Sequence, residues 1–237
     1  MPDTLGTILA EINRSFEVAF EPLQVDDGQL EILTIRNMQA HLDGLLRRKA
    51  IRDPLRDLPL WAKVWPGSFL LGRFLRKYPV SGKTLLELGA GCGVLGLVAA
   101  RHGFARVVIS DVVEDALRFA RANVLHNGLA EQVEVCRLDV TAPGKDARFA
   151  DGFDYIAASE LLYLDDLHRP LLKFLSRHLK PGGKAFFCTD MARHKPRFAK
   201  LAGKSFKLTE GHLGLKSRDG DGTEQRRIYN ILILEHP

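Results

Sequence analysis

The sequence predicts an α/β fold: a doubly wound, mostly parallel seven-stranded sheet that ends in an antiparallel strand pair and follows an N-terminal extension. From residue 80 onward, short apolar runs alternate with segments of helical periodicity. This alternation is typical of a parallel sheet whose two faces are covered by helices. The last two strand-like runs have no helix between them, so we expect that pair to be antiparallel.

Five apolar runs are the predicted parallel strands. They cover residues 84–88, 106–110, 133–138, 154–159 and 184–189. Apolar residues at helical spacing predict helices over residues 94–102, 114–126 and 167–179. Asn127-Gly128 and Pro181-Gly182-Gly183 follow the last two helices and are typical helix ends. The antiparallel pair is predicted over residues 205–213 and 226–235.

Residues 1–80 form the predicted extension, and residues 81–237 form the predicted main domain. Within the extension, residues 15–25 and 29–35 are predicted strands, joined by a turn at Asp26-Asp27-Gly28. Residues 37–49 have the apolar spacing of a helix. Prolines then interrupt the approach to the main domain and are interpreted as turn positions, namely Pro54, Pro59, Pro66 and Pro79.

The composition is that of a soluble globular protein. The 237 residues are 46% hydrophobic and 27% charged, and the net charge of +5 comes from scattered basic residues. The sequence has no apolar run long enough to span a membrane and no signal-peptide core, so a cytoplasmic monomer is expected. Three cysteines and eight scattered histidines predict neither a disulfide framework nor a metal site.

A glycine-rich motif, Glu87-Leu88-Gly89-Ala90-Gly91-Cys92-Gly93, follows the first strand of the main domain and opens a helix. Glycines at this position allow a tight turn and a close approach of the backbone to a ligand. About twenty residues later, Asp111 ends the second strand, where a carboxylate can accept hydrogen bonds from a ribose diol. The sequence therefore predicts a nucleoside-containing ligand at the carboxyl ends of these strands.

Residues 91–96 also satisfy the Gly-x-Gly-x-x-Gly pattern of dinucleotide-binding proteins. Three features disfavour a dinucleotide. The Glu87 carboxylate would lie close to the pyrophosphate, the chain has no recognisable hydride-transfer site, and the dinucleotide fold does not require an antiparallel strand pair at the end of the sheet.

The combination of motifs resembles the class I methyltransferases. This resemblance implies the Rossmann-like methyltransferase fold and S-adenosylmethionine as the cofactor. It places Asp111 on the ribose and Leu138-Asp139 near the adenine. The segment Leu179-Lys180-Pro181-Gly182-Gly183 resembles the turn before the fifth strand of these enzymes. The residues that the resemblance implies for the methionine part are Glu87, Gly89, Gly91 and Gly93.

Two further segments resemble methyltransferase family 16, the seven-strand protein-lysine methyltransferases. One is the Trp-containing segment 60–67, and the other is Ser159-Glu160-Leu161-Leu162-Tyr163, an acid-x-x-aromatic motif after the fourth strand. The resemblance implies that Glu160 and Tyr163 are catalytic and that Ser159 contacts the cofactor. It also suggests that Trp65 covers the cofactor and Trp61 borders the acceptor. Most members of this family have Asp where this chain has Glu160.

The predicted function is an S-adenosylmethionine-dependent N-methyltransferase that acts on lysine side chains of a protein. A small-molecule N-methyltransferase is the alternative, because the same carboxylate could orient any amine. A nucleic-acid methyltransferase is disfavoured, since Ser-Glu-Leu-Leu-Tyr replaces the Asn-Pro-Pro-aromatic motif and no Pro-Cys nucleophile follows the fourth strand. A cofactor-binding scaffold without catalysis is disfavoured by the intact motifs. No membrane partner is expected.

Overall fold

The computed structural model describes residues 4–26, 28–48, 58–193, 196–218 and 224–236. Its strands are β1 (Val18–Val25), β2 (Gly28–Ile35), β3 (Thr84–Leu88), β4 (Arg106–Asp111), β5 (Val133–Arg137), β6 (Phe153–Ser159), β7 (Leu179–Asp190), β8 (Lys207–Arg218) and β9 (Glu224–Glu235). Its helices are α1 (Leu5–Ile12), α2 (Met38–Arg47), α3 (Pro66–Phe74), α4 (Val94–Arg101), α5 (Glu114–His126), α6 (His168–His178) and α7 (Pro196–Ala202).

A seven-stranded sheet with the order β5-β4-β3-β6-β7-β9-β8 organises the main domain. Strands β3 to β7 are mutually parallel, and β9 pairs antiparallel with both β7 and β8. The predicted fold class is therefore confirmed. The strand order reverses between β3 and β6, and a sheet of this kind has its ligand-binding crevice at such a switch point.

The β6–β7 connection differs from the prediction in one respect. Helix α6 ends at His178 and β7 begins at Leu179, so Pro181-Gly182-Gly183 lies inside the strand and does not form a separate turn. The register of the β6–β7 pair shifts between Phe153 and Tyr155, which accommodates the extra residues as a bulge. A Cβ on Gly183 would lie 2.8 Å from the carbonyl oxygen of Lys180, so this bulge requires a glycine there.

Three helices were absent from the sequence prediction: α1, α3 and α7. Thr4 begins α1 with a capping box in which its side chain and that of Thr7 each accept a backbone hydrogen bond from the other residue. Pro66 and Pro196 are the first residues of α3 and α7. Proline is favoured at the first helical position, so Pro66 marks a helix start where the prediction placed a turn.

The hairpin of β1 and β2 carries the turn predicted at 26–28. Asp26 has a positive φ of 49°, whereas Asp27 lies outside the described residues, as do Lys49 and Pro54. The Asp26 carboxylate lies 3.2 Å from Nε of Arg73, 2.8 Å from Nη1 of Arg76 and 2.9 Å from Nε2 of His102. The tip of the hairpin is thereby fixed to α3 and to the end of α4.

The extension and the main domain share one hydrophobic core. Ile8, Leu30 and Leu33 of the extension belong to the same buried cluster as Leu97 of α4 and Phe119 of α5, on one face of the sheet. A second cluster on the opposite face is covered by α6 and α7. None of the helices in the described part of the chain has the length and apolar character that a bilayer crossing requires.

Asn123 of α5 and Asn127, the C-cap residue of this helix, bind the backbone of β2. Asn123 is fully buried; its Oδ1 accepts a hydrogen bond from the Leu33 N–H at 2.7 Å, and its Nδ2 donates to the Cys92 carbonyl at 2.9 Å. One turn later, Asn127 exchanges hydrogen bonds with the backbone N–H and carbonyl of Glu31, at 3.0 and 2.8 Å. Asn123 thus connects the extension to the glycine motif.

We expect Asn123→Ala to lower the free energy of unfolding by about 2–4 kcal/mol, because it leaves the Leu33 N–H and the Cys92 carbonyl buried without partners. The measurement is urea denaturation. The matched control is Asn127→Ala, which removes similar bonds at a half-buried position and should cost less. Equal effects of the two substitutions would contradict the role assigned to Asn123.

Candidate active site

A cavity of about 680 Å³ lies at the carboxyl ends of β3, β4 and β6. This volume is within the range that holds small-molecule ligands in proteins. The glycine motif and the segment 58–65 border it, together with the residues that follow β5 and β6. Among the predicted site residues, those that line the cavity are Trp65, Gly89, Gly91, Asp111, Leu138, Asp139, Ser159, Glu160 and Tyr163.

The glycine motif turns the chain from β3 into α4 through three left-handed residues, since Gly89, Gly91 and Gly93 have φ values of 60°, 56° and 82°. A Cβ on Gly91 would lie 2.6 Å from the backbone carbonyl oxygen of Trp61. Gly91 is therefore required by the close approach of the segment 58–65 as well as by its own backbone angle. Gly93 is the N-cap residue of α4 and does not line the cavity.

Glu87 lies beneath the glycine motif and not in the cavity. It is 1% exposed, and its Oε2 accepts a hydrogen bond of 2.8 Å from the Gly96 N–H in the first turn of α4. Burial is the main cause that raises the pKa of Glu87 to about 8; the charge of Asp111 adds to the rise, and the backbone N–H groups of Gly96 and Leu95 oppose it. Glu87 thus holds the backbone that follows the glycine motif through this hydrogen bond. Its predicted contact with the cofactor stays a prediction.

Asp111 ends β4 with its carboxylate at the cavity wall. Its Oδ2 accepts a hydrogen bond from the Gly91 N–H at 2.8 Å, and its Oδ1 accepts from Val112 and Val113 at 2.7 and 2.9 Å. Burial raises the pKa of Asp111 above its ordinary value, and these three backbone N–H groups oppose part of the rise. A carboxylate has about four acceptor sites, so Oδ2 keeps capacity for a ligand hydroxyl.

The segment after β5 supplies the next part of the wall. Leu138 is buried, and Asp139 is half-buried with Oδ1 accepting hydrogen bonds from the backbone N–H and the hydroxyl of Thr141. These bonds lower the pKa of Asp139. Together with Val112, Leu138 gives this end of the cavity an apolar surface.

The two tryptophans line different parts of the cavity. The carbonyl of Trp61 faces Gly91, and its ring packs edge-on against Phe119 of α5 with centroids 4.9 Å apart. The ring of Trp65 lies on the side of Glu160, where the guanidinium of Arg193 is 5.3 Å from the ring centroid. Trp61 therefore borders the glycine motif and Trp65 borders the Glu160 side; a Trp65–cofactor contact stays a prediction.

Helix α3 approaches the end of β6 closely at Gly67. A Cβ there would lie 2.7 Å from Oγ of Ser159, so only glycine fits between the two elements. Ser159 is 9% exposed, and its Oγ has no hydrogen-bond partner among the described residues. A buried hydroxyl that lines a cavity without a partner is a group that a ligand or an ordered solvent molecule can satisfy.

Glu160 follows β6 in a left-handed conformation with φ of 55°. Its Oε1 accepts a hydrogen bond from the Asp190 N–H at 3.1 Å and lies 2.9 Å from Nη2 of Arg193. Its Oε2 accepts from Nε of Arg193 at 3.1 Å. The hydrogen bond that Arg193 donates to Glu160 raises the pKa of Arg193, which stays charged. The expected acceptor-orienting carboxylate is thus already engaged by a cation.

The sequence analysis missed Arg193, which lies in a 3-10 turn directly after β7. No motif contains it, and only the pairing of β6 with β7 brings it to Glu160. Asp166 also lines the cavity. Asp165 and Asp166 lie in the 3-10 turn before α6, whose N-cap residue is Leu167. Tyr163 is half-buried and lines the cavity on this side.

The cysteines contribute no nucleophile to this site. Burial raises the pKa of Cys92, which lines the cavity, to about 12, so its thiol stays protonated near neutral pH. Cys136 and Cys188 are also free and buried, as expected. Within the described ranges, no group of three His, Cys, Asp or Glu side chains could hold a metal ion.

The sequence profile of the lysine methyltransferase family, methyltransferase family 16, matches residues 56–202. The chain belongs to the lysine methyltransferase family. The match begins just before the Trp-containing segment and ends with α7, so it includes the whole cavity described above. As a member of this family, the chain is an S-adenosylmethionine-dependent methyltransferase.

Three named proteins are similar in sequence to this chain. Protein N-lysine methyltransferase METTL21A of Danio rerio is 34% identical over 66% of this chain and 73% of its own length. The electron transfer flavoprotein beta subunit lysine methyltransferase of Mus musculus is 31% identical over 60% of this chain, but the match spans only 53% of that protein. Cypemycin N-terminal methyltransferase of a Streptomyces species is 33% identical over 72% of this chain and 67% of its own length.

Solved structures share the fold at low sequence identity. A putative RNA methyltransferase from Pyrococcus horikoshii superposes with a TM-score of 0.56 at 17% identity, covering 82% of this chain and 95% of its own. A TehB-like SAM-dependent methyltransferase from Corynebacterium glutamicum gives a TM-score of 0.55 at 17% identity, covering 84% and 99%. Both show the Rossmann-like methyltransferase fold.

S-adenosylmethionine fits the chemistry of this cavity. Asp111 keeps an acceptor site for ribose hydroxyls, the apolar surface of Val112 and Leu138 suits a purine, and Ser159 offers an unsatisfied hydroxyl. These three features lie along the ends of β4, β5 and β6, next to the glycine motif. The residues that line the cavity therefore agree with the cofactor of the family.

Glu87 makes stability depend on pH. Its folded-state pKa of about 8 lies above the ordinary glutamate value of 4.5, so unfolding releases a proton between these values. The stabilisation is complete below about pH 4.5 and is lost as the pH rises towards 8, by about 1.4 kcal/mol per pH unit. Glu87→Gln has no such dependence, so its stability relative to wild type should rise from about pH 5 to pH 8.

Urea denaturation at a series of pH values measures this difference. The control is Leu86→Val, a neighbouring fully buried residue of β3 that does not titrate. Its difference from wild type should stay constant across the series. A Glu87→Gln difference that is equally constant would show that Glu87 is ionised in the folded protein.

Asp111→Ala should weaken binding of S-adenosylmethionine by about 1–3 kcal/mol, because a charged acceptor for the ribose is lost. Calorimetric titration measures the affinity. The control is Asp146→Ala, which also removes a carboxylate that accepts a backbone N–H, that of Arg148, but lies outside the cavity. An Asp111→Ala affinity equal to that of the control would remove Asp111 from the cofactor site.

Proposed function

We propose that this enzyme transfers the methyl group of S-adenosylmethionine to the ε-amine of lysine side chains in a protein substrate. The observation that carries the proposal is the position of Glu160. It follows β6, whereas Asp111 ends β4, and β3 lies between them. Neighbouring strands are about 4.8 Å apart, so the two carboxylates lie roughly 10 Å apart along one edge of the sheet.

This separation divides the cavity into two ends with different chemistry. The Asp111 end is lined by the glycine motif and by the apolar side chains of Val112 and Leu138, whereas the Glu160 end is bordered by Trp65, Tyr163 and Arg193. The side chain of Arg193 is 42% exposed, so the Glu160 end lies close to the protein surface. A long, flexible side chain such as lysine can enter from there, while its protein remains outside.

When bound, the cofactor supplies a methyl carbon made electrophilic by its positively charged sulfur. The lone pair of the amine forms the new C–N bond, and the electron pair of the C–S bond leaves with sulfur, so only a neutral amine can react. A lysine with a pKa near 10.4 is only about 0.1% neutral at pH 7.4, which costs about 4 kcal/mol. The site therefore has to orient the amine and also favour its loss of a proton.

Glu160 is suited to orientation. Its Oε1 is engaged by the Asp190 N–H and by Arg193, but Oε2 accepts a single bond among the described residues. The remaining acceptor position can take one N–H of the incoming amine and direct its lone pair. Trp65 and Tyr163 exclude solvent beside it. The names of the relatives METTL21A and the flavoprotein lysine methyltransferase support a protein lysine as the acceptor.

The experiment is to incubate the enzyme with methyl-labelled S-adenosylmethionine and a desalted cell extract, followed by protease or nuclease treatment. We expect protease-sensitive label that appears as methyllysine after acid hydrolysis. Label in nucleic acid, or in small molecules added back to the extract, would contradict the proposal. Label confined to α-amino groups would favour peptide N-termini, the acceptor named for the Streptomyces relative.

Glu160→Gln should lower the labelling rate by about 10²-fold while cofactor affinity changes less than threefold, because the lost interaction acts mainly in the transition state. Glu160→Asp tests whether side-chain length matters. The matched control is Asp165→Asn, an exposed acid that does not line the cavity, and it should retain the wild-type rate. A Glu160→Gln variant with the full rate would remove Glu160 from the reaction.

A further inference from the structure

We propose that Arg193 is a positioning residue that makes the acceptor site electrically neutral, so that the site holds lysine as the free amine and not as the ammonium ion. This inference rests on the proposed function and identifies the part of the enzyme that favours loss of the proton from the substrate lysine. An unpaired Glu160 carboxylate would have the opposite effect. It would stabilise the ammonium ion and so oppose the reaction.

The contact between Arg193 and Glu160 is bidentate. Nε lies 3.1 Å from Oε2 and Nη2 lies 2.9 Å from Oε1. The guanidinium also lies over the ring of Trp65, at 5.3 Å from its centroid. A planar cation held by a carboxylate fork and an aromatic face has a fixed position, unlike most exposed arginines. Glu160 is the less exposed partner, with 9% of its side chain accessible.

The other charged groups at this corner balance one another. Lys63, from the segment 58–65, lies 4.7 Å from the centroid of Trp65. Asp190, at the end of β7, lies 3.7 Å from Nη2 of Arg193. With Glu160 and Arg193, the corner holds two carboxylates and two cations, and removal of Arg193 leaves it with a net charge of −1.

The other groups that face the corner are two neutral side chains and one further pair of opposite charges, so the sum stays at zero. Tyr229 of β9 is paired in register with Asp190, and burial raises the pKa of its hydroxyl, so it stays neutral. Burial likewise raises the pKa of the Cys188 thiol beneath Glu160. Asp166 lines the cavity from the turn before α6, is exposed and adds one negative charge. Arg227 of β9 donates a hydrogen bond to the Tyr229 hydroxyl and adds one positive charge. Tyr163 lies in the chain between Glu160 and that turn and also lines the cavity.

The consequence for the substrate follows from the remaining acceptor position on Glu160. A neutral amine can donate one hydrogen bond to Oε2 and keep its lone pair directed away from the carboxylate. An ammonium ion gains little here, because the charge of Glu160 is already compensated by Arg193. The cation of Arg193, together with the sulfonium of the cofactor, therefore lowers the pKa of the bound lysine.

The test is the pH dependence of methyl transfer to the proteins of the desalted extract, measured as initial rates from about pH 6.5 to 10. For Arg193→Gln we expect the acid limb to move up by about one pH unit. At pH 7.4 the rate falls about tenfold, and near pH 10 it recovers to within about twofold of wild type. Arg193→Lys keeps the charge and should keep the acid limb of wild type.

The matched control is Arg197→Gln, which removes an exposed arginine that contacts Asp165 at 3.6 Å and not Glu160. Its pH profile should equal that of wild type. A rate that falls equally at every pH in Arg193→Gln, with unchanged thermal stability, would overturn the proposal, as would an unshifted acid limb. If the wild type labels no protein at any pH, the proposed function fails as well, and the two failures are thereby distinguished.

Discussion

Three buried polar side chains hold the backbone of residues 91–96, and the site depends on this constraint. Asp111 accepts the Gly91 N–H, Asn123 donates to the Cys92 carbonyl, and Glu87 accepts the Gly96 N–H. Each partner comes from a different element, namely β4, α5 and β3. Buried polar groups are costly to leave unpaired, so these bonds hold the turn in one conformation as a wall of the cavity.

The same set of hydrogen bonds connects the N-terminal extension to the glycine motif. Asn123 binds both Leu33 of β2 and the glycine motif, so the extension and the cofactor loop share one buried side chain. The carbonyl of Trp61 then rests against Gly91. Displacement of the extension would therefore disturb the cofactor end of the cavity, even though β1 and β2 lie outside the seven-stranded sheet.

The Glu160 end of the cavity is built differently. Glu160 has a left-handed backbone, and its partner Arg193 is partly exposed and lies in a short turn. A non-glycine residue with positive φ is strained by a modest amount, and such strain is tolerated where surrounding contacts fix it. Here the contacts are the hydrogen bonds of Glu160 with Cys188 and Asp190, which come from β7. The glycine motif is thus held by buried polar bonds, whereas the Glu160 end is held by an ion pair with a partly exposed arginine.

The sequence by itself determined the sheet, the glycine motif and the acids at the ends of β4 and β6, because these depend on local periodicity and on motifs a few residues long. It did not determine where Glu87 points, which tryptophan lies at which end, or that Arg193 meets Glu160. Those features depend on contacts between residues far apart in the chain, such as Trp61 with Gly91. Only the packing of α3 and α4 on the sheet, and the pairing of β7 within it, bring such residues together. No local sequence pattern predicts these contacts.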